Sequence, residues 1–155
     1  MAVMQRQFSV DETKLNQKPD RCFYTSDTDM NDMLNRFVKE AESSDIWVSV
    51  EAGDLKKNRL GQRLCELVSM ALDAAKRNCI ETTPPRGRFI RIRCRDMQQQ
   101  MLIRIQFSCE DHMIREFDKN IIKMREWIES ENGYLKIQLI DDTGNIKIAI
   151  PDELG

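Results

Sequence analysis

The chain has 155 residues, 41% of them hydrophobic, which is enough for one domain with a full core and too few for two. Its 24 basic and 26 acidic residues leave a net charge of −2, so the global basic excess of a general nucleic-acid or membrane-surface binder is excluded and only local patches remain. Five scattered cysteines without a C-x-x-C pair and a single histidine argue against a disulfide framework and a zinc site.

No apolar run approaches the length of a membrane span and no signal-type segment opens the chain, so it is expected to be cytoplasmic with reduced thiols. Residues 1–29 are polar and weakly patterned, an arm or lead-in with Met4 to Val10 as a candidate strand and a turn at Lys18-Pro19-Asp20. The domain proper is expected over 30–155. A helix opens behind Asp27, Thr28 or Asp29 as N-cap and carries Met33, Leu34, Phe37, Val38 and Ala41 on one face until Ser43-Ser44-Asp45 ends it. Residues 46–50 alternate, with Ile46, Val48 and Val50 on one side and Trp47 and Ser49 on the other, and form a strand with one buried face.

From Arg59 onward Leu60, Leu64, Leu67, Val68, Ala71, Leu72 and Ala75 recur at three- and four-residue spacings, the core face of a second helix. Glu66, Met70 and Asp73 stack along an adjoining face. Pro84-Pro85-Arg86-Gly87 breaks the pattern, and two alternating strands follow over 89–95 and 101–107, joined as a hairpin through 96–100. The stretch from Ile105 to His112 contains no glycine, and its polar end Cys109-Glu110-Asp111-His112 reads as a loop at a helix start with Asp111 as cap. A third helix runs from Met113 to Ser130 on Phe117, Ile121, Met124 and Ile128. A closing hairpin pairs 134–140 with 146–150 around Asp141-Asp142-Thr143-Gly144-Asn145, a turn and not a ligand box.

The stretch E-L-V-S-M-A-L-D-A-A, residues 66–75, resembles the nucleotide-binding helix E-L-x-S-N-A-x-D-A of the histidine kinase, DNA gyrase, MutL and heat-shock chaperone ATPases. The segment N-D-M-L-N-R-F-V-K-E-A-E-x-x-D-I resembles the lead into the catalytic domain of Agr-type sensor kinases. The last helix and hairpin resemble the end of histidine-kinase ATPase domains, so the likeness covers about residues 31–151. It implies the Bergerat-type fold: an α/β two-layer sandwich, a mixed and mostly antiparallel sheet with three helices on one face.

The resemblance also assigns roles. The family's Asn, which carries the Mg²⁺ on ATP, falls on Met70, and a thioether is a poor ligand for a hard cation. The adenine-reading carboxylate falls on Phe107 or Ser108, depending on register, and neither supplies one. The family's phosphate lid, rich in glycine, falls between His112 and Ile121, where there is no glycine and where Glu116 and Asp118 add negative charge. Glu66, Met70, Asp73, Phe107 and Ser108 are therefore expected to be vestigial nucleotide-site positions. No catalytic residue is assigned, Glu66 being the general base only if the site is active, and no metal, ATP or other cofactor is expected otherwise.

With apolar residues turned to the helices, Arg91, Arg93, Arg95, Arg104, Lys136 and Lys147 point to the other side of the sheet, together with Gln106, Gln138 and Trp47. Long basic chains solubilise an exposed sheet, and a basic face with an aromatic also suits an acidic partner. Trp47, Arg91, Arg93, Arg95 and Arg104 are taken as partner-binding. The leading expectation is a degenerate, non-catalytic histidine-kinase ATPase-like domain in two-component signal transduction, a pseudokinase acting on a protein partner, with a homodimer also open. The alternatives are an ATP-binding sensor kinase domain with a divergent site and a nucleic-acid-binding module, the latter disfavoured by the net charge.

Overall fold

The structure, a computed structural model, describes residues 3–5, 22, 24–25, 27–52, 61–110 and 116–152. Six strands form one sheet in the order β1-β2-β3-β4-β6-β5, where β1 is Val3–Gln5, β2 Trp47–Ala52, β3 Phe89–Met97, β4 Gln100–Ser108, β5 Tyr134–Ile140 and β6 Thr143–Pro151. β2 and β3 are parallel and every other pair is antiparallel. Three helices, α1 (Thr28–Glu42), α2 (Gln62–Thr82) and α3 (Glu116–Ser130), pack on one face, with α2 in the middle touching both of the others. The two-layer sandwich expected from the sequence is the architecture found.

The parallel pair follows from the crossover: β2 and β3 are joined through α2, and a helix-length connection lets the second strand run in the same direction. The core lies between the layers. Val48 and Val50 of β2, Ile90, Ile92 and Cys94 of β3, Ile103, Ile105 and Phe107 of β4 and Ile146, Ile148 and Ile150 of β6 are all buried. They meet Leu34, Phe37 and Val38 of α1, Leu67, Val68, Ala71 and Leu72 of α2, and Met124 and Ile128 of α3.

Several boundaries differ from the sequence reading. β1, which overlaps the start of the candidate strand at Met4 to Val10, pairs antiparallel with β2 and stands beside the five strands expected over 30–155. Of the expected strand at Met4 to Val10 only Met4 and Gln5 lie among the described residues, as do neither Arg59 and Leu60 nor residues 111–115. β2 runs to Ala52, two residues further, because Glu51 and Ala52 pair with Arg93 and Cys94. Both hairpin turns shrink to two residues, Gln98-Gln99 and Asp141-Asp142, each pair with positive φ. That is the hairpin geometry whose twist matches paired strands, so 96–97, 100 and 143–145 are strand and not turn.

Asp27 caps α1, its carboxylate accepting the Met30 N–H at 3.0 Å. The chain just before it is stitched to the helix. Asn31 Oδ1 accepts the Tyr24 N–H at 2.7 Å and Asn35 Oδ1 the Cys22 N–H at 2.6 Å, while both carboxamides donate back to the Cys22 carbonyl. Cys22 and Tyr24 thereby join the core. At the other end of the α layer Arg88 donates to the carbonyls of Thr83, Ser44 and Ile80 at 2.8, 2.9 and 3.2 Å. It closes the C-terminal end of α2 and the turn after α1 with one side chain.

Candidate functional site

Two surfaces of this sandwich carry the residues singled out from sequence, one among the helices and one on the open face of the sheet. Among the helices, Glu66 and Met70 lie one turn apart on α2, both exposed, and face the cleft that α2 makes with α3. The cleft encloses about 200 Å³ and is lined by Leu67 and Met70 from one side and Met124 and Trp127 from the other, with Arg63, Glu66 and Lys123 at its edges. Arg63 sits over the Trp127 ring, 5.8 Å from its centroid, a cation–π contact that ties the two helices across the cleft. The walls are mostly hydrocarbon and thioether.

Glu66 also borders a second groove, about 450 Å³, between α1 and α2, where it meets Asp29, Asp32, Arg36, Cys65 and Ser69. Its charge is felt there. Burial pushes the Cys65 thiol up to about 11, and Asp27, Asp29 and Glu66 add to the rise. The three carboxylates of this groove, Asp29, Asp32 and Glu66, outnumber its one cation, Arg36, and disfavour a phosphate there. Asp73 lies one turn beyond Met70, exposed and outside both grooves; partial burial of its carboxyl raises its pKa, with Lys76 acting against the rise. Among the described residues no cluster of His, Cys, Asp and Glu could hold a metal ion.

Phe107 and Ser108 end β4 in different ways. Phe107 is fully buried on the helix side, paired in register with Gly144. Ser108 is buried too, and its hydroxyl lies 3.0 Å from Cys79 Sγ and accepts the Phe89 N–H at 3.2 Å. A phenyl ring and an engaged hydroxyl occupy the end of this strand. Glu116 and Asp118 belong to α3, and His112 lies outside the described residues.

No family model and no curated protein matches the chain. Solved structures do. The chain superposes on the blue-light activated histidine kinase of Erythrobacter litoralis EL346 with TM-score 0.62 at 17% identity, over 77% of this chain and 40% of that one. It superposes on the nucleotide-free catalytic domain of the histidine kinase ThkA with TM-score 0.58 at 14% identity, over 81% and 92% of the two chains. The histidine kinase AdeS of Acinetobacter baumannii gives TM-score 0.64 at 11% identity, over 96% and 77%. The chain has the fold of a histidine-kinase ATPase domain.

Within that histidine-kinase fold, the helix that carries Glu66 and Met70 is the central one of the α layer, and the strand that ends in Phe107 and Ser108 lies at the middle of the sheet. The residues present fit Mg-ATP poorly. The described lining of the α2/α3 cleft offers one carboxylate, Glu66, and no amide oxygen, where a hard cation needs several oxygen ligands.

The second surface is the open face of the sheet. Arg93, Arg104, Lys147 and Lys136 are successive register partners on β3, β4, β6 and β5, and Glu51 of β2 continues the row beside Arg93. Arg91 stands one row away, paired with Ser49 and Gln106, and Arg95 one row away on the other side, paired with Leu102. A groove of about 240 Å³ gathers Arg93, Arg95, Arg104 and Lys147 around Leu102 and Tyr134. Trp47 is not part of it. It pairs with Phe89, four residues along the strand from the row of Arg93, or about 13 Å at strand spacing. Tyr134, half-exposed at 51%, was missed from sequence, although its place two residues before Lys136 already put both on one face.

Proposed function

We propose that this domain is a degenerate histidine-kinase ATPase-like domain of a signalling protein, which acts through contacts with other proteins and not through phosphotransfer. The observation that carries this reading is Met70. The resemblance puts the Mg²⁺-carrying amide at that position, and in this chain its side chain lines an apolar cleft with Leu67, Met124 and Trp127. Two further features support it: Phe107 and Ser108, one of which the resemblance matches to a carboxylate, are a buried phenyl ring and an engaged hydroxyl, and Asp29, Asp32 and Glu66 make the neighbouring groove acidic.

Under this reading the signalling partner meets the open face of the sheet, where Arg91, Arg93, Arg95 and Arg104 present their charge and Trp47 lies at the margin. No helix among the described residues is long and apolar enough to cross a membrane. The deciding experiment is a nucleotide titration followed by thermal unfolding, with and without Mg²⁺. An unchanged melting temperature supports the degenerate reading.

One observation favours the rival, an ATP-binding kinase domain with a divergent site. Arg63 and Lys123 stand at the mouth of the α2/α3 cleft and carry the positive charge a phosphate would need. Saturable stabilisation by Mg-ATP that is lost in Lys123→Ala would establish that rival in place of the degenerate domain.

A further inference from the structure

The row Arg93, Arg104, Lys147 and Lys136 puts four like charges on four adjacent strands, each directly opposite the next. At a strand spacing of about 4.8 Å the row spans about 14 Å. Like charges in directly opposed positions of a sheet destabilise it, so the arrangement costs the free domain stability. Among the described residues little offsets that cost. The Glu51 carboxylate reaches Arg95, at 3.7 Å, and the Arg104 guanidinium donates to the neutral Asn145 at 3.4 Å. Arg93, Lys147 and Lys136 have no ion pair among the described residues.

Beside the row the surface is apolar. Leu102 and the exposed Tyr134 line the same groove as Arg93, Arg95, Arg104 and Lys147. A charged row and a mostly apolar row thus lie side by side.

We infer that this groove binds an extended acidic segment of a partner protein, whose carboxylates lie across Arg93, Arg104 and Lys147 while an apolar side chain on the same face of the segment packs on Leu102 and Tyr134. Acids at positions i and i+2 of an extended chain are about 7 Å apart on one side, within reach of two neighbouring long cations. Charge complementarity favours a short acidic peptide over nucleic acid. A polyanion many phosphates long meets the field of the whole domain, which is net negative at −2, whereas a peptide confined to the groove lies within a Debye length, about 8 Å, of the cations. The inference rests on the reading that the domain works by protein contacts, and it gives that partner a chemistry.

The test uses the full chain and a fluorescein-labelled decapeptide with glutamate at positions 2, 4, 8 and 10, leucine at position 6 and serine elsewhere, so that acids and leucine share one face when it is extended, followed by fluorescence anisotropy. The comparison probes are the same peptide with lysine in place of glutamate and a labelled ten-nucleotide oligothymidylate. The glutamate peptide binds saturably, weakens as salt is raised, and loses about tenfold or more in affinity in Arg104→Glu and in Lys147→Glu. Tyr134→Ala weakens it without changing the salt dependence. Lys39→Glu, on an exposed cation of α1 among the helices, leaves binding unchanged. Circular dichroism and melting of each variant verify that it folds. Binding that survives both reversals in folded protein, absence of saturable binding by the glutamate peptide, or equal or tighter binding of the lysine peptide or the oligonucleotide overturns the proposal. The Mg-ATP titration is independent of this result: stabilisation by nucleotide removes the non-catalytic reading and leaves the groove standing, and loss of peptide binding removes only the groove.

Discussion

The tip of the Phe107 ring fills the space that a side chain would take at Gly144, its register partner on the next strand. A Cβ at Gly144 would overlap three atoms of that ring. The pair fixes a phenyl group near the end of β4, at one of the two positions, Phe107 or Ser108, where the family resemblance calls for an adenine-reading carboxylate, and the missing side chain opposite gives the ring its room.

Gly144→Ala is therefore expected to destabilise the domain by about 2–3 kcal/mol, the cost of overpacking a filled core. Phe107→Asp is expected to prevent folding, since an unpaired carboxylate would replace a fully buried ring. Chemical denaturation measures the first and expression with circular dichroism the second. A Gly144→Ala domain as stable as the parent would show that the ring moves freely.

Millimolar Mg-ATP is expected to leave the melting temperature unchanged. A site saturated a hundredfold above its dissociation constant adds about 2.7 kcal/mol to stability. For a chain of this length that is a rise of about 5–10 °C. Met70→Asn alone is expected to restore nothing, because Phe107 and the acidic α1/α2 groove remain. A shift above about 3 °C with Mg-ATP and not with Mg²⁺ alone contradicts both statements.

Arg104→Gln is expected to stabilise the free domain slightly. It removes the like-charge oppositions with Arg93 and Lys147 and keeps a donor for Asn145. The gain should be about 0.5 kcal/mol, or about 1–2 °C, and should vanish in high salt, which screens exposed charges. A face that serves solubility alone predicts no change or a loss.

Stability is expected to fall steeply in alkali. Burial raises the Cys94 thiol to about 12 and the Cys65 thiol to about 11, and burial raises Cys79 as well. In each case the folded pKa lies above the unfolded one, so the stabilisation is complete below about pH 8.5–9 and is lost as the pH climbs toward the folded values. Each such thiol removes about 1.4 kcal/mol per pH unit in that window. Urea melts from pH 8 to pH 10.5 measure the slope, and a flat profile would contradict the burial. All five thiols are buried and none is in a disulfide, so they should react with a disulfide reagent at pH 8 only as fast as the domain opens.

Arg88→Ala is expected to cost about 2–3 kcal/mol, because three carbonyls at the ends of α1 and α2 lose a charged donor at once. Arg88→Lys should recover only part of this, an ammonium being unable to span all three with a fixed fork. Thermal unfolding of the two variants separates lost charge from lost geometry.

The sequence alone determined the order and type of the elements from Asp27 onward, because each carries a strong local signal. Periods of three and four mark Leu64 to Ala75, strict alternation marks 89–95 and 101–107, and Asp27 supplies a cap that the structure uses. The proposed mismatch at Met70 and at Phe107 or Ser108 also rests on sequence, since side-chain identity at a position matched by resemblance needs no coordinates. The tertiary structure decided what depends on pairing. Register placed Arg93, Arg104, Lys147 and Lys136 in one line and left Trp47 outside it, which alternation within single strands cannot reveal. Pairing also recruited β1 and Glu51, whose own sequence signals are weak, because a strand at a sheet edge is fixed by the backbone hydrogen bonds of its neighbour as much as by its own residues. Arg88 is the clearest case. Its three acceptors lie on segments up to 44 residues away, and only the packing of α1 beside α2 brings them within reach of one guanidinium.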